Sequence, residues 1–189
     1  MSLKTLYPGL AGEVIFKEEP ALVGPRLDPN AAEMCCGCFG KLGKVSYQCP
    51  KCNLARICSE KCAEAKFHSF ECEILANSKI EENVQVELQT PLRFLGMKEK
   101  DPKKYIQLKS LLANKEIKKN GPDWERISKM STDIYDKFKI KDVSIEEIED
   151  VICILESNSY QVISSQDSLN GVYVQASMLN HTCFKGPKI

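Results

Sequence analysis

The sequence predicts an α+β chain in which a cysteine-rich, cross-braced finger and a helical insert interrupt a short β-sheet. Three observations lead to this prediction: closely spaced cysteines, a series of helix start and stop signals after them, and short strand patterns near the C-terminus. We divide the chain into N-terminal strands over 1–34, the finger over 35–72, the helical insert over 73–157 and a partial strand core over 158–189.

Length and charge bound the possible functions. A chain of 189 residues is long enough for one ordinary domain plus a small module. Its 26 basic and 26 acidic side chains cancel, so no net field steers it toward nucleic acid or an anionic membrane. Residues 1–9 lack the apolar core of a secretory signal, and no apolar run approaches the roughly 20 residues of a membrane span. We therefore expect a cytoplasmic or nuclear protein without a membrane partner.

The finger contains eight potential metal ligands in four closely spaced pairs. In a reducing compartment such clustering indicates metal rather than disulfides. Zinc takes four thiolate or imidazole ligands tetrahedrally, so the sequence predicts two Zn²⁺ ions. The 38 residues of the finger are too few for a stabilising apolar core, so a chelator should unfold this segment and leave the rest more intact. The predicted ligands are Cys35, Cys38, Cys49, Cys52, Cys58, Cys62, His68 and Cys72.

Helix geometry suggests which pairs share an ion. Ser59 is a plausible N-cap for one continuous helix that runs through the last four ligands. On that helix Cys58 and Cys62 share a face, and so do His68 and Cys72, but the two pairs point in directions about 240° apart. The predicted pairing is therefore interleaved, and a sequential pairing remains the alternative. The interleaved sites are Cys35, Cys38, Cys58 and Cys62 for one ion, and Cys49, Cys52, His68 and Cys72 for the other.

The helical insert has clear start and stop signals. Thr90-Pro91 and Asp101-Pro102 each read as an N-cap followed by the first helical residue, which predicts two helices over 91–113. Asn120-Gly121-Pro122 ends this region, and Asp123 can cap the next helix. Ser144 to Glu147 forms a capping box for the last one. The predicted buried faces comprise Trp124, Ile127, Ile134, Tyr135 and Phe138, and then Ile145, Ile148, Ile152 and Leu155.

Two short strands follow the insert. Tyr160-Gln161-Val162-Ile163 and Val172-Tyr173-Val174 have strand composition. The polar segment between them ends in Asn170-Gly171, which is typical of a loop. The C-terminal region is therefore predicted to contribute two short strands to the partial core.

Several segments carry a family resemblance. The ligand series, with Ile57-Cys58-Ser59 and the closing His68-x3-Cys72, resembles a MYND-type zinc finger. Residues 12–25 resemble the early strands of a SET domain before an inserted MYND finger, and Asn158-Ser159-Tyr160 resembles its entry into the SET core. Residues 177–183 are similar to the Ser-x-Leu-Asn-His-Ser-Cys motif of that family. The chain thus resembles the SET and MYND domain-containing proteins.

This resemblance implies a fold, a cofactor and an activity. The family's SET domain uses S-adenosylmethionine to methylate protein lysines. Asn180 and His181 match the Asn-His pair that contacts the cofactor, and Cys183 matches a cysteine that joins a third zinc in many members. After Phe184 the sequence departs from the family, and the glycine-arginine cofactor loop is not recognisable in residues 1–10. Because methyl transfer depends on a preformed site, we assign no catalytic residue and expect little activity from this chain alone. A splice variant or a partial gene model would account for the divergence.

Three functions follow from these patterns. The favoured one is a protein-interaction module that docks a proline-containing peptide on apolar side chains of the finger. The alternative is an active S-adenosylmethionine-dependent protein-lysine methyltransferase. Nucleic-acid binding is the least favoured, because six basic against three acidic side chains in the finger give only a modest charge excess. The apolar finger residues are Phe39, Tyr47, Leu54, Ile57, Phe67 and Phe70.

Overall fold

The computed structural model describes residues 10, 12–78, 80, 84–162 and 168–179, and within them the fold mixes helices with two small antiparallel sheets. This confirms the α+β class. No helix in the described ranges is long and apolar enough to cross a membrane. The strands are β1 Leu22–Pro25, β2 Tyr47–Gln48, β3 Arg56–Ile57, β4 Ser159–Gln161 and β5 Leu169–Val172. The helices are α1 His68–Ala76, α2 Val86–Lys100, α3 Pro102–Lys109, α4 Lys115–Lys119, α5 Trp124–Phe138 and α6 Ile145–Asn158.

The larger sheet has the strand order β1-β5-β4, so the last strand in sequence lies in the middle. Val172 of β5 is opposite Leu22 of β1 on one side and Ser159 of β4 on the other. The second C-terminal strand was predicted three residues too late, because Asn170-Gly171 lies inside β5 rather than in a loop. A Cβ on Gly171 would lie 3.1 Å from side-chain atoms of both Tyr173 and Val162, so this glycine serves close packing. Ile163, the predicted end of the first strand, lies outside the described residues.

The N-terminal segment contributes less strand than the resemblance implied. Only Leu22–Pro25 forms a strand, and residues 12–20 have no regular structure. Val14 and Ile15 are largely exposed there, and within the described residues no neighbouring strand pairs with them. A strand requires a partner for its backbone hydrogen bonds, and strand composition alone does not supply one.

Helix α2 is the centre of the helical unit. It packs against α1, α3, α6 and strand β1, and every residue from Leu88 to Met97 is buried. It begins at Val86, so the prediction that Thr90-Pro91 starts this helix is wrong. The Thr90 hydroxyl instead donates to the carbonyl of Pro25 at 2.7 Å, and Pro91 lies inside the helix. A hydrogen bond to another element here outweighs a local capping preference.

The other predicted helix starts are confirmed, although Asp123 before α5 makes no side-chain capping hydrogen bond. Asp101 caps α3 by accepting from the backbone N–H of Lys104 at 3.2 Å, and Ser144 accepts from the N–H of Glu147 at 3.2 Å to cap α6. The predicted faces are also largely buried, with two exceptions at the surface, Tyr135 in α5 and Ile145 in α6. A short helix that was not predicted, α4, lies between α3 and α5.

The finger does not have a separate core. Its buried residues belong to the same apolar cluster as α2 and α6, and Leu22 of β1 also lies in that cluster. Helix α1, which ends the finger, packs directly on α2. The finger is therefore part of the main fold, which changes the expected consequence of removing its metal. The finger residues in the shared cluster are Cys35, Cys36, Cys49, Cys52, Leu54, Ala55, Ile57, Ala63, Phe70 and Cys72.

Candidate metal centre

The structure brings the eight predicted ligands together as two groups of four. In each group the candidate ligand atoms all lie within 4.8 Å of one another. The grouping is the interleaved one and not the sequential one. We call Cys35, Cys38, Cys58 and Cys62 the first metal site, and Cys49, Cys52, His68 and Cys72 the second metal site. Each group could hold one metal ion.

The continuous helix on which the pairing was predicted is not present. A 3-10 turn over Glu60–Glu64 ends at Ala65, whose backbone is extended with φ −65° and ψ 139°, and α1 begins at His68. The Ser59 side chain does not cap the turn. The break at Ala65 redirects the chain between the two ligand pairs. The grouping of the ligands therefore agrees with the prediction, whereas the helix that motivated it does not.

Each Cys-x2-Cys pair lies in a tight backbone loop. The N–H of Phe39 donates to the carbonyl of Cys35 at 2.9 Å, and the N–H of Asn53 donates to the carbonyl of Cys49 at 2.8 Å. Phe39 and Asn53 both have left-handed backbones, with φ of 61° and 56°. Asparagine tolerates this conformation, but for phenylalanine it costs about 1–2 kcal/mol. The Phe39 ring contacts Arg93 and Phe67, which helps to hold it there.

The separations between sulfur atoms fit tetrahedral metal coordination. In the first metal site, Cys58 Sγ lies 3.6 Å from both Cys38 Sγ and Cys62 Sγ. In the second site, Cys49 Sγ lies 3.9 Å from Cys72 Sγ. Four sulfurs bound tetrahedrally at about 2.3 Å from a metal are separated from one another by about 3.8 Å. The thiols are therefore arranged at the spacing of a metal site and are far beyond disulfide bonding distance.

His68 gives the clearest sign that the second site is built for a metal. Its side chain is completely buried, and Nδ1 lies 3.0 Å from Oε1 of Glu71. Because a carboxylate only accepts, the Nδ1 proton faces Glu71 and Nε2 carries the lone pair. Among the described residues Nε2 has no hydrogen-bond partner, although it is buried. A metal bound with the three thiolates would satisfy this atom.

The electrostatics of the thiols also favour a cation. Burial alone would raise the pKa of Cys35. Hydrogen bonds from the backbone N–H groups of Cys38, Cys58 and Gly37 outweigh this effect and lower the pKa to about 7. For Cys52 burial likewise raises the pKa, and the adjacent imidazole of His68 together with two backbone N–H groups brings it to about 7. The neighbouring sulfurs of Cys38 and Cys62 instead raise the pKa of Cys58 to about 12. One thiolate forms readily, and further thiolates require a positive ion.

The two sites differ in exposure. In the first metal site Cys38 and Cys58 are exposed and Cys62 is half-buried, whereas all four ligands of the second site are buried. Solvent and small chelators therefore reach the first site more easily. We expect a chelator in modest excess to remove the metal ion of the first site on the order of tenfold faster than that of the second site. Metal release followed with a colorimetric indicator should show two phases.

A ligand variant assigns these phases. Cys58→Ser should remove the fast phase and leave the slow one, because Cys58 is an exposed ligand of the first site. A single phase for the unmodified protein, or loss of the slow phase in Cys58→Ser, would contradict the assignment.

Cys36 lies next to a ligand but outside both groups. Its thiol is buried, its Sγ lies 3.5 Å from Oε1 of Gln89, and burial raises its pKa to about 12. Cys36 has no partner in the interleaved pairing, and this position agrees with a bystander thiol beside a candidate ligand. Sequence reasoning missed two polar residues beside the second site, Glu71 and Arg93. The i, i+3 spacing of His68 and Glu71 was the available signal for the first of them.

The predicted cofactor residues Asn180 and His181, together with Cys183, lie outside the described residues. Comparison of the sequence with protein-family models and with curated proteins finds no match. The assignment to the SET and MYND domain-containing family therefore stays a prediction from the motifs. The two metal sites rest on the geometry of this chain alone.

Proposed function

We propose that the finger binds two Zn²⁺ ions and acts as a protein-interaction module of the MYND type, docking a proline-containing peptide. The observation that carries the zinc proposal is the assembly of seven thiols and one imidazole into two four-atom groups with tetrahedral spacing. Thiolate and imidazole ligands in a tetrahedron suit Zn²⁺, and four protein ligands leave no position for a substrate. Both ions are therefore proposed to be structural, and the chain's own residues provide the binding surface.

The structure narrows the surface that a peptide could use. Of the six apolar finger residues that we expected to contribute, Leu54, Ile57 and Phe70 are buried, and Phe39 and Phe67 are half-buried. They pack inside the fold, so their number does not by itself indicate a binding groove. Tyr47 is the exposed member, with 53% of its surface accessible, and the nearby Val45 is also exposed. We place the proposed peptide contact at these two side chains.

Truncating Tyr47 tests this proposal. Tyrosine is enriched among interface hot spots, whose truncation costs about 2 kcal/mol or more, so Tyr47→Ala should weaken binding about 30-fold. Affinity would be measured by fluorescence polarisation with the best ligand from an array of proline-containing peptides. Metal content should stay at two ions, because Tyr47 is not one of the eight candidate ligands and is exposed.

Tyr135→Ala is the matched control, since Tyr135 is also an exposed tyrosine but lies in α5. Equal loss in both variants, or no array peptide bound above background, would refute the peptide proposal. Leu54 is less suitable as a probe because it is only 8% exposed, and its truncation would test packing.

Methyl transfer and nucleic-acid binding have less support among the described residues than peptide docking. Methyl transfer was motivated by Asn180 and His181, and the described residues supply no geometry for them. For nucleic acid, two of the six basic side chains in the finger are already paired with carboxylates, Lys51 with Glu64 and Arg56 with Glu33. This pairing weakens an already modest positive surface.

A further inference from the structure

Arg93 of α2 is completely buried and connects three parts of the fold. Its Nη1 donates to the carbonyl of Val23 in β1 at 3.0 Å, and its Nη2 donates to the carbonyl of Cys36 at 2.8 Å. Nη2 also lies 2.9 Å from Oε1 of Glu71 in α1. Its guanidinium carbon is 5.0 Å from the ring centre of Phe39. One side chain of the helical insert thus contacts the sheet, the first ligand loop and the finger helix.

Glu71 links this arginine to the second metal site. Its Oε1 accepts from Arg93 and from Nδ1 of His68, at 2.9 Å and 3.0 Å. All three side chains have zero exposure, and a buried ion requires a partner of opposite charge. Arg93 therefore fixes the position of the carboxylate. The carboxylate in turn fixes which nitrogen of His68 carries the proton and how the ring is oriented.

The same geometry bears on the metal ligand itself. With the proton of His68 on Nδ1, the lone pair of Nε2 is free to join the thiols of the second site. A carboxylate that accepts from a metal-bound imidazole makes the ring a better ligand and holds it in place. Glu71 lies between His68 and Cys72 on α1, so its movement would disturb two ligands together.

We propose that Arg93 is a positioning residue for the second metal site, acting through Glu71 on the Nε2 lone pair of His68. Because Arg93 also holds the main chain of Val23 and Cys36, metal binding at this site depends on the docking of the finger against β1 and α2. This inference rests on the proposed function, since it presupposes that the finger binds two metal ions. It adds the residue by which the helical insert controls one of those ions.

The test uses the full chain loaded with ¹¹³Cd²⁺, whose NMR signal reports its ligands directly. The unmodified protein should give two resonances, one from a four-sulfur site and one from a site with three sulfurs and a nitrogen. Glu71→Gln should shift the second resonance, leave the first in place, and speed cadmium release from the second site by about 10- to 100-fold. Arg93→Gln should speed release from the second site at least about tenfold more than release from the first.

A double variant covers the case in which Arg93→Gln leaves Glu71 unpaired and the protein does not fold. E71Q/R93Q removes both charges together and should release cadmium from the second site within about tenfold of the rate for Glu71→Gln. Arg126→Gln is the matched control, because Arg126 pairs with Glu156 away from both sites and should shift neither resonance.

Three results would overturn the inference. An unchanged second resonance and release rate in Glu71→Gln would show that the carboxylate does not tune the ligand. Release from E71Q/R93Q more than tenfold faster than from Glu71→Gln would show that Arg93 acts independently of Glu71. Fewer than two cadmium resonances in the unmodified protein would instead overturn the two-metal proposal, and the inference with it.

Discussion

Removal of both metal ions with excess EDTA is expected to unfold the finger and to loosen α1 from α2. The free energy of binding a structural zinc is about 10–16 kcal/mol, which is comparable to the whole stability of a domain. Besides its metal sites the finger has little regular structure, namely β2, β3, one 3-10 turn and the first residues of α1. Because its buried residues share a core with α2, the loss should extend past residue 72. Amide resonances of residues 35–76 should collapse in a ¹H–¹⁵N correlation spectrum.

The same spectrum contains an internal control. Helices α5 and α6 pack against each other and contain no metal ligand, so their resonances should remain dispersed. The fluorescence of Trp124, the one tryptophan of the chain, gives a second report from α5. Adding Zn²⁺ back should restore the finger resonances. A finger that keeps its dispersed spectrum after both ions are removed would refute metal-dependent folding.

Gly96→Ala should separate the finger helix from the helical insert. A Cβ at this position would lie 1.9 Å from the carbonyl oxygen of Phe70 in α1, a backbone atom that cannot move independently of its helix. Alanine gains about 1 kcal/mol in helix propensity over glycine, whereas overpacking against a backbone atom lies at the upper end of the usual range, about 3 kcal/mol. We expect a net destabilisation of about 2 kcal/mol, measured by urea denaturation of the metal-loaded protein.

The substitution should also weaken one metal site selectively. Phe70 lies between His68 and Cys72, so displacing α1 moves two ligands of the second metal site. Gly43→Ala is the control, since its Cβ would meet only the Val45 carbonyl oxygen at 3.8 Å and should change stability by less than about 0.5 kcal/mol. Equal stability of the two variants would show that the close approach of α1 and α2 is not required.

Spacing along the sequence was sufficient to find the eight candidate ligands, because metal-binding loops are local and bring ligands in pairs. The spacing did not predict the backbone conformation between the pair Cys58 and Cys62 and the pair His68 and Cys72. Helix-compatible residues from Ala63 to Phe67 predicted a continuous helix, yet the backbone at Ala65 is extended. Helix propensity is weak, and the requirement that four ligands converge on each site overrides it.

The capping signals show where local chemistry is reliable. Asp101 and Ser144 cap their helices because nothing else competes for their side chains. Thr90 has the same type of signal, but its hydroxyl bonds to Pro25, 65 residues away in the chain. Gly171 was likewise interpreted as a turn residue, although its role depends on the two strands that flank β5.

Arg93 could not be predicted from the sequence. An arginine in a helical segment is ordinarily exposed, and its hydrogen-bond partners here are separated from it by 22 to 70 residues. Only the packing of α2 between the sheet and the finger brings them together. The same packing joins the core of the finger to that of the helical unit, which the count of finger residues alone did not indicate.

The central claim is that this chain binds two zinc ions in interleaved sites, and native mass spectrometry tests it most directly. We predict two zinc ions for the unmodified protein and one for C35S/C38S/C58S/C62S, which lacks the first metal site and keeps the second intact. A sequential pairing would damage both sites in this variant and leave it with none. Fewer than two ions in the unmodified protein, or none in the variant, would contradict the account.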